Sequence, residues 1–171
     1  MTTIKPGTSV PALEVETLGG GAWKLADGKP ENFTMVVFYR GLHCPICKGY
    51  LRDLDRKLGE FGELGVDVIA ISGDDKARAE KTKAEWGIEN LTIGYGQGAD
   101  NMRAWGLYIS KGIKDPEPPQ FAEPGLFIVR PNGELFYAGV NSMPFGRPSF
   151  TEMLQAVKFV LDKNYPARGE A

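Results

Sequence analysis

Several kinds of residue and segment are scarce or missing in this sequence. It holds two cysteines and one histidine, so a scaffold of several disulfides is excluded, and a four-ligand zinc site would need carboxylates as well. No run approaches the ~18 consecutive apolar residues of a membrane-spanning helix, and no segment repeats at a fixed period or forms a low-complexity linker. A chain of 171 residues without such divisions is predicted to be one domain, residues 1–171.

A surplus of positive charge is also absent. Lys and Arg number 20 against 22 Asp and Glu, which leaves a net charge of -2, whereas proteins that bind nucleic acid carry a basic surface that neutralises phosphates. Residues 1–7 contain no apolar segment of the kind that forms a secretory signal peptide. We therefore expect a cytoplasmic protein that binds neither nucleic acid nor membranes.

What the sequence does contain is enough apolar material for a core. Hydrophobic residues make up 42% of it, and a chain of this length buries enough surface to fold without a disulfide or a structural metal. Two apolar runs rich in β-branched residues, 34–39 and 66–72, predict buried strands. Between them, apolar residues recur at every third or fourth position and predict an amphipathic helix whose crossover makes the strands parallel. The apolar helix positions are Cys47, Leu51, Leu54, Leu58 and Phe61.

The middle of the chain continues the alternation of helices and strands. Residues 75–86 predict a helix behind an Asp-rich start, 91–93 a short strand, and 99–108 another helix. The proline-rich stretch 114–119 predicts a loop, because proline fixes φ and lacks an N–H donor.

The last part of the chain predicts a β-hairpin and a closing helix. Strands 126–129 and 134–140 flank the segment 130–133, whose Asn-Gly supplies the positive φ of a tight turn. Ser149 and Glu152 form a capping box for a helix whose apolar face covers the sheet. This order of elements predicts a thioredoxin-like α/β three-layer sandwich, a central mixed sheet with helices on both faces. It has extra N-terminal residues and a long insertion in the middle.

Both cysteines lie in the segment His43-Cys44-Pro45-Ile46-Cys47, between the first predicted strand and its crossover helix. Pro45 suits the first helical position, which makes Cys44 the N-cap and Cys47 the third helical residue. Free N–H groups there stabilise a thiolate, and we expect Cys44 to be the more exposed cysteine and to have the lower pKa. A C-x-x-C in a βαβ unit predicts a dithiol that cycles with a disulfide and needs no cofactor or metal. The alternatives are two small buried hydrophobic residues, or a zinc site completed by carboxylates.

Four blocks along the chain match the pattern of a known family. They are Gly7–Pro11, Gly65–Ser72 with its following Asp-rich helix, Tyr108 at the end of the next predicted helix, and Gly125–Val129. Together they resemble the alkyl hydroperoxide reductase and thiol-specific antioxidant (AhpC/TSA) family, which comprises the peroxiredoxins and their relatives. The resemblance covers nearly the whole chain. It implies a thioredoxin fold, a hydroperoxide substrate, an external thiol reductant and a homodimer.

The dithiol segment departs from the peroxiredoxin pattern. In that family a strand ends in Phe-Tyr-Pro, and a threonine precedes the peroxidatic cysteine by three residues. The resemblance puts Arg40 in place of the proline, Cys44 in place of the threonine and Cys47 at the peroxidatic position. The arginine that the family carries before its Gly-Leu-Phe-Ile strand is replaced by Pro124.

At the positions where it departs from the peroxiredoxin pattern, this chain resembles thioredoxin and glutaredoxin instead. The C-x-x-C of those proteins matches Cys44 to Cys47, and their cis-proline, which aligns a substrate chain beside the dithiol, matches Pro124. The Glu123–Pro124 bond is therefore expected to be cis, with an ordinary loop proline as the alternative.

Three further residues are candidates for a supporting role. His43 immediately precedes Cys44 and is placed to stabilise a thiolate or to move a proton; the alternative is an exposed loop residue. Arg40 and Arg147 are candidates to restore a guanidinium beside the sulfur, and the alternative is that each extends into solvent.

The leading interpretation is a cytoplasmic thiol-dependent oxidoreductase whose Cys44 and Cys47 alternate between dithiol and disulfide. A hydroperoxide would oxidise one thiolate to a sulfenic acid, which condenses with the other thiol. A protein disulfide would instead exchange with the pair, Cys44 attacking and Cys47 resolving. A redox-inert thioredoxin-fold module that only binds proteins is the alternative from a different class.

Overall fold

A seven-stranded mixed sheet forms the centre of the protein. The computed structural model describes residues 4–171; residues 1–3, which entered the signal-peptide argument, lie outside the described residues. The strands are β1 (Glu14–Thr17), β2 (Gly21–Lys24), β3 (Phe33–Phe38), β4 (Val66–Ile71), β5 (Thr92–Tyr95), β6 (Ile109–Lys111), β7 (Gln120–Ala122), β8 (Gly125–Val129) and β9 (Leu135–Val140). The α-helices are α1 (Pro45–Glu63), α2 (Lys76–Trp86), α3 (Ala99–Ala104) and α4 (Phe150–Lys163). The large sheet has the order β2-β1-β5-β4-β3-β8-β9, and β6 pairs with β7 in a second sheet.

The predicted βαβ unit is confirmed. β3 and β4 pair in parallel, from Phe33 opposite Val66 to Phe38 opposite Ile71, and α1 crosses over between them. Every residue of β3 is buried, because the strand lies inside the sheet and is covered on both faces. α1 turns its apolar side inward and buries Cys47, Leu51, Leu54 and Phe61.

Helices cover both faces of the sheet, as the sequence predicts. Successive side chains of a strand point to opposite faces, so Met35 and Val37 join one buried cluster with residues of α1, α2 and α4. Val36 and Phe38 join a second cluster on the other face, together with Met102 of α3. The protein is therefore a three-layer sandwich of the thioredoxin type.

The C-terminal hairpin and helix also follow the sequence prediction. β8 and β9 pair antiparallel across a turn in which Gly133 has a φ of 85 and its N–H donates to the Arg130 carbonyl at 2.9 Å. Ser149 caps α4, because its hydroxyl accepts a hydrogen bond from the Glu152 N–H at 3.1 Å. Within residues 4–171, no helix has both the length and the apolar surface needed to span a bilayer.

The helix predicted over residues 99–108 is too long. It stops at Ala104, and Gly106 takes a φ of 70, which a helix cannot continue through. The chain then turns so that Trp105 and Leu107 become buried in the second cluster. Tyr108 consequently lies outside the helix, directly before β6.

Four short strands are not predicted by the sequence. β1 and β2 form an antiparallel hairpin in the N-terminal residues, and β6 and β7 pair on either side of the proline-rich loop, with Ile109 opposite Ala122. Strands of three or four residues contain too few positions to show an alternating pattern. The β6–β7 hairpin matters for function, because it brings Phe121 and its neighbours to the loop that precedes α1.

Candidate active site

The dithiol occupies the first turn of α1. Cys44 is the N-cap, Pro45 is the first helical residue, and the Cys47 N–H donates a hydrogen bond to the Cys44 sulfur at 3.2 Å. The two thiols are free. The predicted N-cap is confirmed. Pro45 has no N–H, and the Cys47 N–H is the helix donor that bonds the Cys44 sulfur. The expected difference in exposure is absent, because Cys44 is 1% exposed and Cys47 is 0% exposed.

The two thiols have pKa values that move in opposite directions. A hydrogen bond from the Cys47 side chain, above all, lowers the pKa of Cys44 to about 6, against the opposing effect of burial. Burial, above all, raises the pKa of Cys47, and its hydrogen bond to Cys44 adds to the rise. Near neutral pH the pair therefore holds one proton on Cys47 and a thiolate on Cys44, the direction expected for an N-cap cysteine.

Arg147 lies on the loop between β9 and α4 and reaches the dithiol. Its Nη1 is 3.5 Å from the Cys47 sulfur, and its guanidinium stacks 4.1 Å from the centroid of the Tyr50 ring. The Tyr50 hydroxyl donates to the Pro148 carbonyl at 2.6 Å, which ties this loop to α1. In the described part of the chain, no carboxylate lies within ion-pair distance of Arg147. Its charge lowers the pKa of both thiols.

Arg40, the other candidate guanidinium, is paired with a carboxylate. Its Nε lies 3.2 Å from Glu123 Oε2, and its guanidinium lies 4.7 Å from the centroid of Phe121. Glu123 is buried, and its other oxygen accepts a hydrogen bond from the Ser110 hydroxyl at 2.6 Å. Arg40 therefore fastens the end of the β6–β7 hairpin to the loop before α1. Its charge lowers the pKa of Cys44 less than the charge of Arg147 does.

The single histidine packs against the same aromatic ring. The ring centroids of His43 and Phe121 are 4.6 Å apart, and neither imidazole nitrogen has a hydrogen-bond partner among residues 4–171. Burial, above all, and the charge of Arg40 lower the pKa of His43. At neutral pH His43 is therefore an uncharged, half-buried residue, and it does not supply a positive charge to the thiolate.

The expectation of a cis-proline beside the dithiol is wrong. Within the described residues the one cis peptide bond is Asp115–Pro116, and Glu123–Pro124 is trans. The chain passes from β7 through Pro124 directly into β8. The Glu123 N–H donates to the Tyr108 carbonyl at 2.8 Å, and the Pro124 carbonyl accepts from the Asn141 N–H at 2.9 Å. Because the bond is trans, the cis-proline platform that aligns a substrate chain in thioredoxin is missing here.

Three residues around the dithiol are not identified by the sequence reasoning. Tyr50 follows Cys47 by three positions and therefore lies on the same face of α1. Asp74 comes shortly after β4, at the edge of the sheet where β3 also ends. Helical spacing and this shared edge are signals that could have found these two residues. Nothing in the sequence indicates that Glu123 is the partner of Arg40.

Replacing Tyr50 with phenylalanine is expected to weaken the anchoring of the Arg147 loop. The ring under the guanidinium is kept, but the hydrogen bond to Pro148 is lost, which costs about 1 kcal/mol of the free energy of unfolding. Urea unfolding of the reduced protein measures this loss. Tyr137→Phe is the control, because the described residues show no hydrogen bond to the Tyr137 hydroxyl, and it should cost less than about 0.5 kcal/mol. Equal losses in the two variants would contradict the anchoring role.

Comparison with known proteins identifies the family of this fold and dithiol. The sequence model of the AhpC/TSA family matches residues 6–138. The chain belongs to the AhpC/TSA family. Membership in this family makes the protein a thiol-dependent oxidoreductase, and the redox-inert binding module is not favoured.

Individual AhpC/TSA relatives support this assignment. A peroxiredoxin-type protein of Mycobacterium tuberculosis is 28% identical over 142 residues, which cover 82% of this chain and 87% of the relative. Alkyl hydroperoxide reductase C of Amphibacillus xylanus is 27% identical over 124 residues, 70% of this chain and 62% of the relative. A solved cysteine-to-serine mutant of peroxiredoxin 6 from Arenicola marina matches with a TM-score of 0.78 and 19% identity, and covers 94% of this chain and 75% of that one. At such identity the structural likeness shows the fold alone.

Proposed function

We propose that this AhpC/TSA protein is a thiol peroxidase in which Cys44 attacks a hydroperoxide and Cys47 closes the disulfide. The observation that carries the proposal is the burial of both sulfurs beside Arg147, which has no carboxylate partner in the described residues. A hydroperoxide needs far less space at a buried sulfur than a protein chain does. A fixed positive charge there stabilises the negative charge that moves onto the leaving oxygen.

A protein disulfide is a less suitable oxidant for this site. Exchange with it passes through a mixed disulfide, so a whole substrate chain has to come to the attacking sulfur. Both sulfurs are buried, and the trans Glu123–Pro124 bond leaves no platform for such a chain. The pKa of Cys44, about 6, suits a disulfide reductase equally well, which keeps that activity as the second candidate.

The proposed reaction transfers two electrons to the hydroperoxide. The Cys44 thiolate attacks the terminal oxygen, a sulfur–oxygen bond forms, the oxygen–oxygen bond breaks, and the departing alkoxide or hydroxide takes up a proton. The Cys47 thiol then attacks the sulfenic sulfur of Cys44, so that the disulfide forms and water leaves. Two equivalents of an external thiol restore the dithiol and are themselves oxidised to a disulfide.

Each neighbour of the pair has one role in this scheme. The Cys47 N–H and the Cys47 thiol hydrogen-bond to Cys44 and keep it ionised near neutral pH. Arg147 supplies the uncompensated positive charge, since Glu123 already binds Arg40.

A homodimer, a cytoplasmic location and an external thiol donor belong to the proposal as well. Light scattering coupled to size exclusion measures the oligomeric state.

The test of the proposal compares two kinds of oxidant. Reduced protein is supplied with dithiothreitol and either hydrogen peroxide or the disulfides of insulin, and turnover is followed for each. We expect catalytic consumption of peroxide with a kcat/KM at least about tenfold above that for insulin. The variant with both cysteines changed to serine serves as the blank. Faster reduction of insulin would assign a disulfide reductase instead, and turnover of neither substrate would contradict both activities.

A further inference from the structure

The loop between β3 and α1, residues 40–43, leads directly into Cys44 and rests on a carboxylate. The Leu42 N–H donates to Asp74 Oδ2 at 2.8 Å, and the Cys44 N–H donates to the Gly41 carbonyl at 3.1 Å. The first bond fixes the middle of the loop, and the second fixes the residue at which α1 begins. The position of the Cys44 sulfur therefore depends on Asp74, which lies in the loop between β4 and α2.

Gly41 allows the loop to lie directly against this carboxylate. Its φ is +135, a conformation that residues with a side chain rarely adopt, and a Cβ built on it would stand 2.8 Å from both carboxylate oxygens of Asp74. A glycine is thus required for the backbone conformation and for the close approach. Gly41, Leu42 and Asp74 form one contact, which we call the loop clamp.

Asp74 is itself held firmly in place. Its side chain is 0% exposed, and Oδ1 accepts a hydrogen bond from Arg78 Nε at 2.9 Å. Its backbone N–H donates to the Ser72 hydroxyl at 3.2 Å, and its carbonyl accepts from the Gly96 N–H at 2.8 Å. A buried carboxylate is costly unless its oxygens are bonded. One oxygen of Asp74 bonds Arg78 and the other bonds the loop, so the carboxylate joins α2 to the segment that presents the dithiol.

We infer that Asp74 is a positioning residue for the dithiol. It holds residues 40–43 so that Cys44 caps α1 with its sulfur at the helix N-terminus. It acts through Leu42 and Gly41 and not on the reacting atoms. The inference deepens the proposed dithiol chemistry and rests on it.

Positioning and simple electrostatics predict opposite effects on the pKa of Cys44. The negative charge of Asp74 raises the pKa of acidic groups near it, as it does for Tyr39, so removing the charge alone would lower the pKa of Cys44. Loss of the clamp would instead move Cys44 away from the Cys47 donors and from the charge of Arg147, and raise its pKa. The other groups that act on the pair are Arg40, Tyr39 and Tyr50, and the test variants leave them in place.

The experiment compares Asp74→Asn with Asp55→Asn in the full reduced protein. Asp55 also holds a loop through backbone N–H groups, those of Glu89, Asn90 and Leu91, but this loop does not lead into the dithiol. We expect Asp74→Asn to slow alkylation of Cys44 by iodoacetamide about tenfold at neutral pH and to move its pH midpoint upward. Asp55→Asn should lower stability and leave both quantities unchanged.

A second variant keeps the inference testable if Asp74→Asn does not fold. Gly41→Ala leaves the carboxylate in place but forces the loop off it, so it should reproduce the slow alkylation and the raised midpoint. An unchanged alkylation rate, or a midpoint that moves downward, in the folded variant overturns the inference. Alkylation does not require peroxide. If Asp74→Asn slows alkylation of Cys44 but the wild type consumes no peroxide, the positioning role of Asp74 is upheld and the peroxidase function is rejected.

Discussion

Replacing Arg147 with leucine is expected to slow the reaction of the reduced protein with hydrogen peroxide by about 100-fold. The guanidinium lies with Nη1 3.5 Å from the Cys47 sulfur, and no carboxylate among residues 4–171 compensates it. Removing one stabilising donor from a buried site costs about 2.7 to 4 kcal/mol of transition-state free energy. The kcat/KM for peroxide, measured with an excess of thiol donor, gives the size of the loss.

The same substitution should also change the pH dependence of thiol reactivity. Arg147 lowers the pKa of Cys44, so its loss raises that pKa, and alkylation of Cys44 should require a higher pH than in the wild type. Arg147→Lys retains a positive charge without the planar guanidinium. We therefore expect its rate and its pH midpoint to fall between those of the wild type and of Arg147→Leu.

Arg130→Leu is the matched control for the Arg147 variant. The Arg130 guanidinium also stacks on aromatic rings, 4.9 Å from the centroid of Phe136 and 5.9 Å from that of Phe33, but it follows β8 at the hairpin turn and not at the dithiol. Its loss should lower stability and change kcat/KM by less than about threefold. If the two leucine variants consume peroxide equally fast, Arg147 has no part in the reaction. The preference for a peroxidase over a disulfide reductase would then lose its support.

Features of this fold that depend on neighbouring residues can be predicted from the sequence. Cys44 and Pro45 mark the start of α1, and Ser149 marks the start of α4, because a helix cap is decided by the side chains within one turn of it. The Asn132-Gly133 turn is another such case, since positive φ is a property of the residue that adopts it. The βαβ unit follows as well, because its strands and helix each show a clear period.

Features that depend on contacts between distant segments cannot be predicted in this way. Arg147 and Cys47 are 100 positions apart, and the sequence does not show which arginine the fold pairs with Glu123 and which it leaves free. Arg40 forms the ion pair because the β6–β7 hairpin brings Glu123 next to it. The strands of this hairpin are too short to show a pattern in the sequence. The trans state of Glu123–Pro124 is the usual one for an X–Pro bond, and the expectation of a cis bond rests only on the resemblance to thioredoxin.

Single substitutions in the dithiol are expected to distinguish the attacking thiol from the resolving one. Cys44→Ser removes the thiolate and should abolish both multiple turnover and any single-turnover burst with hydrogen peroxide. Cys47→Ser keeps Cys44, so one equivalent of peroxide should be consumed in a burst that ends at the sulfenic acid. Without an external thiol the sulfenic acid should persist, since the chain has only two cysteines and no second protein thiol is left to condense with it. Mass spectrometry of a dimedone adduct measures the sulfenic acid.

The pH dependence of the burst tests the same roles independently. In the wild type the rate should rise with pH through about 6, the pKa of Cys44, and then level off, because the thiolate and not the thiol attacks. Cys47→Ala keeps the backbone N–H bond to Cys44 but removes the side-chain donor, so it should raise that pKa and slow the burst at neutral pH, whereas Cys47→Ser, whose hydroxyl still donates, should raise it less. A burst that persists in Cys44→Ser and is lost in Cys47→Ser would reverse the roles. Cys47 would then be the peroxidatic cysteine, as in the family pattern, and Arg147 would contact the attacking sulfur itself.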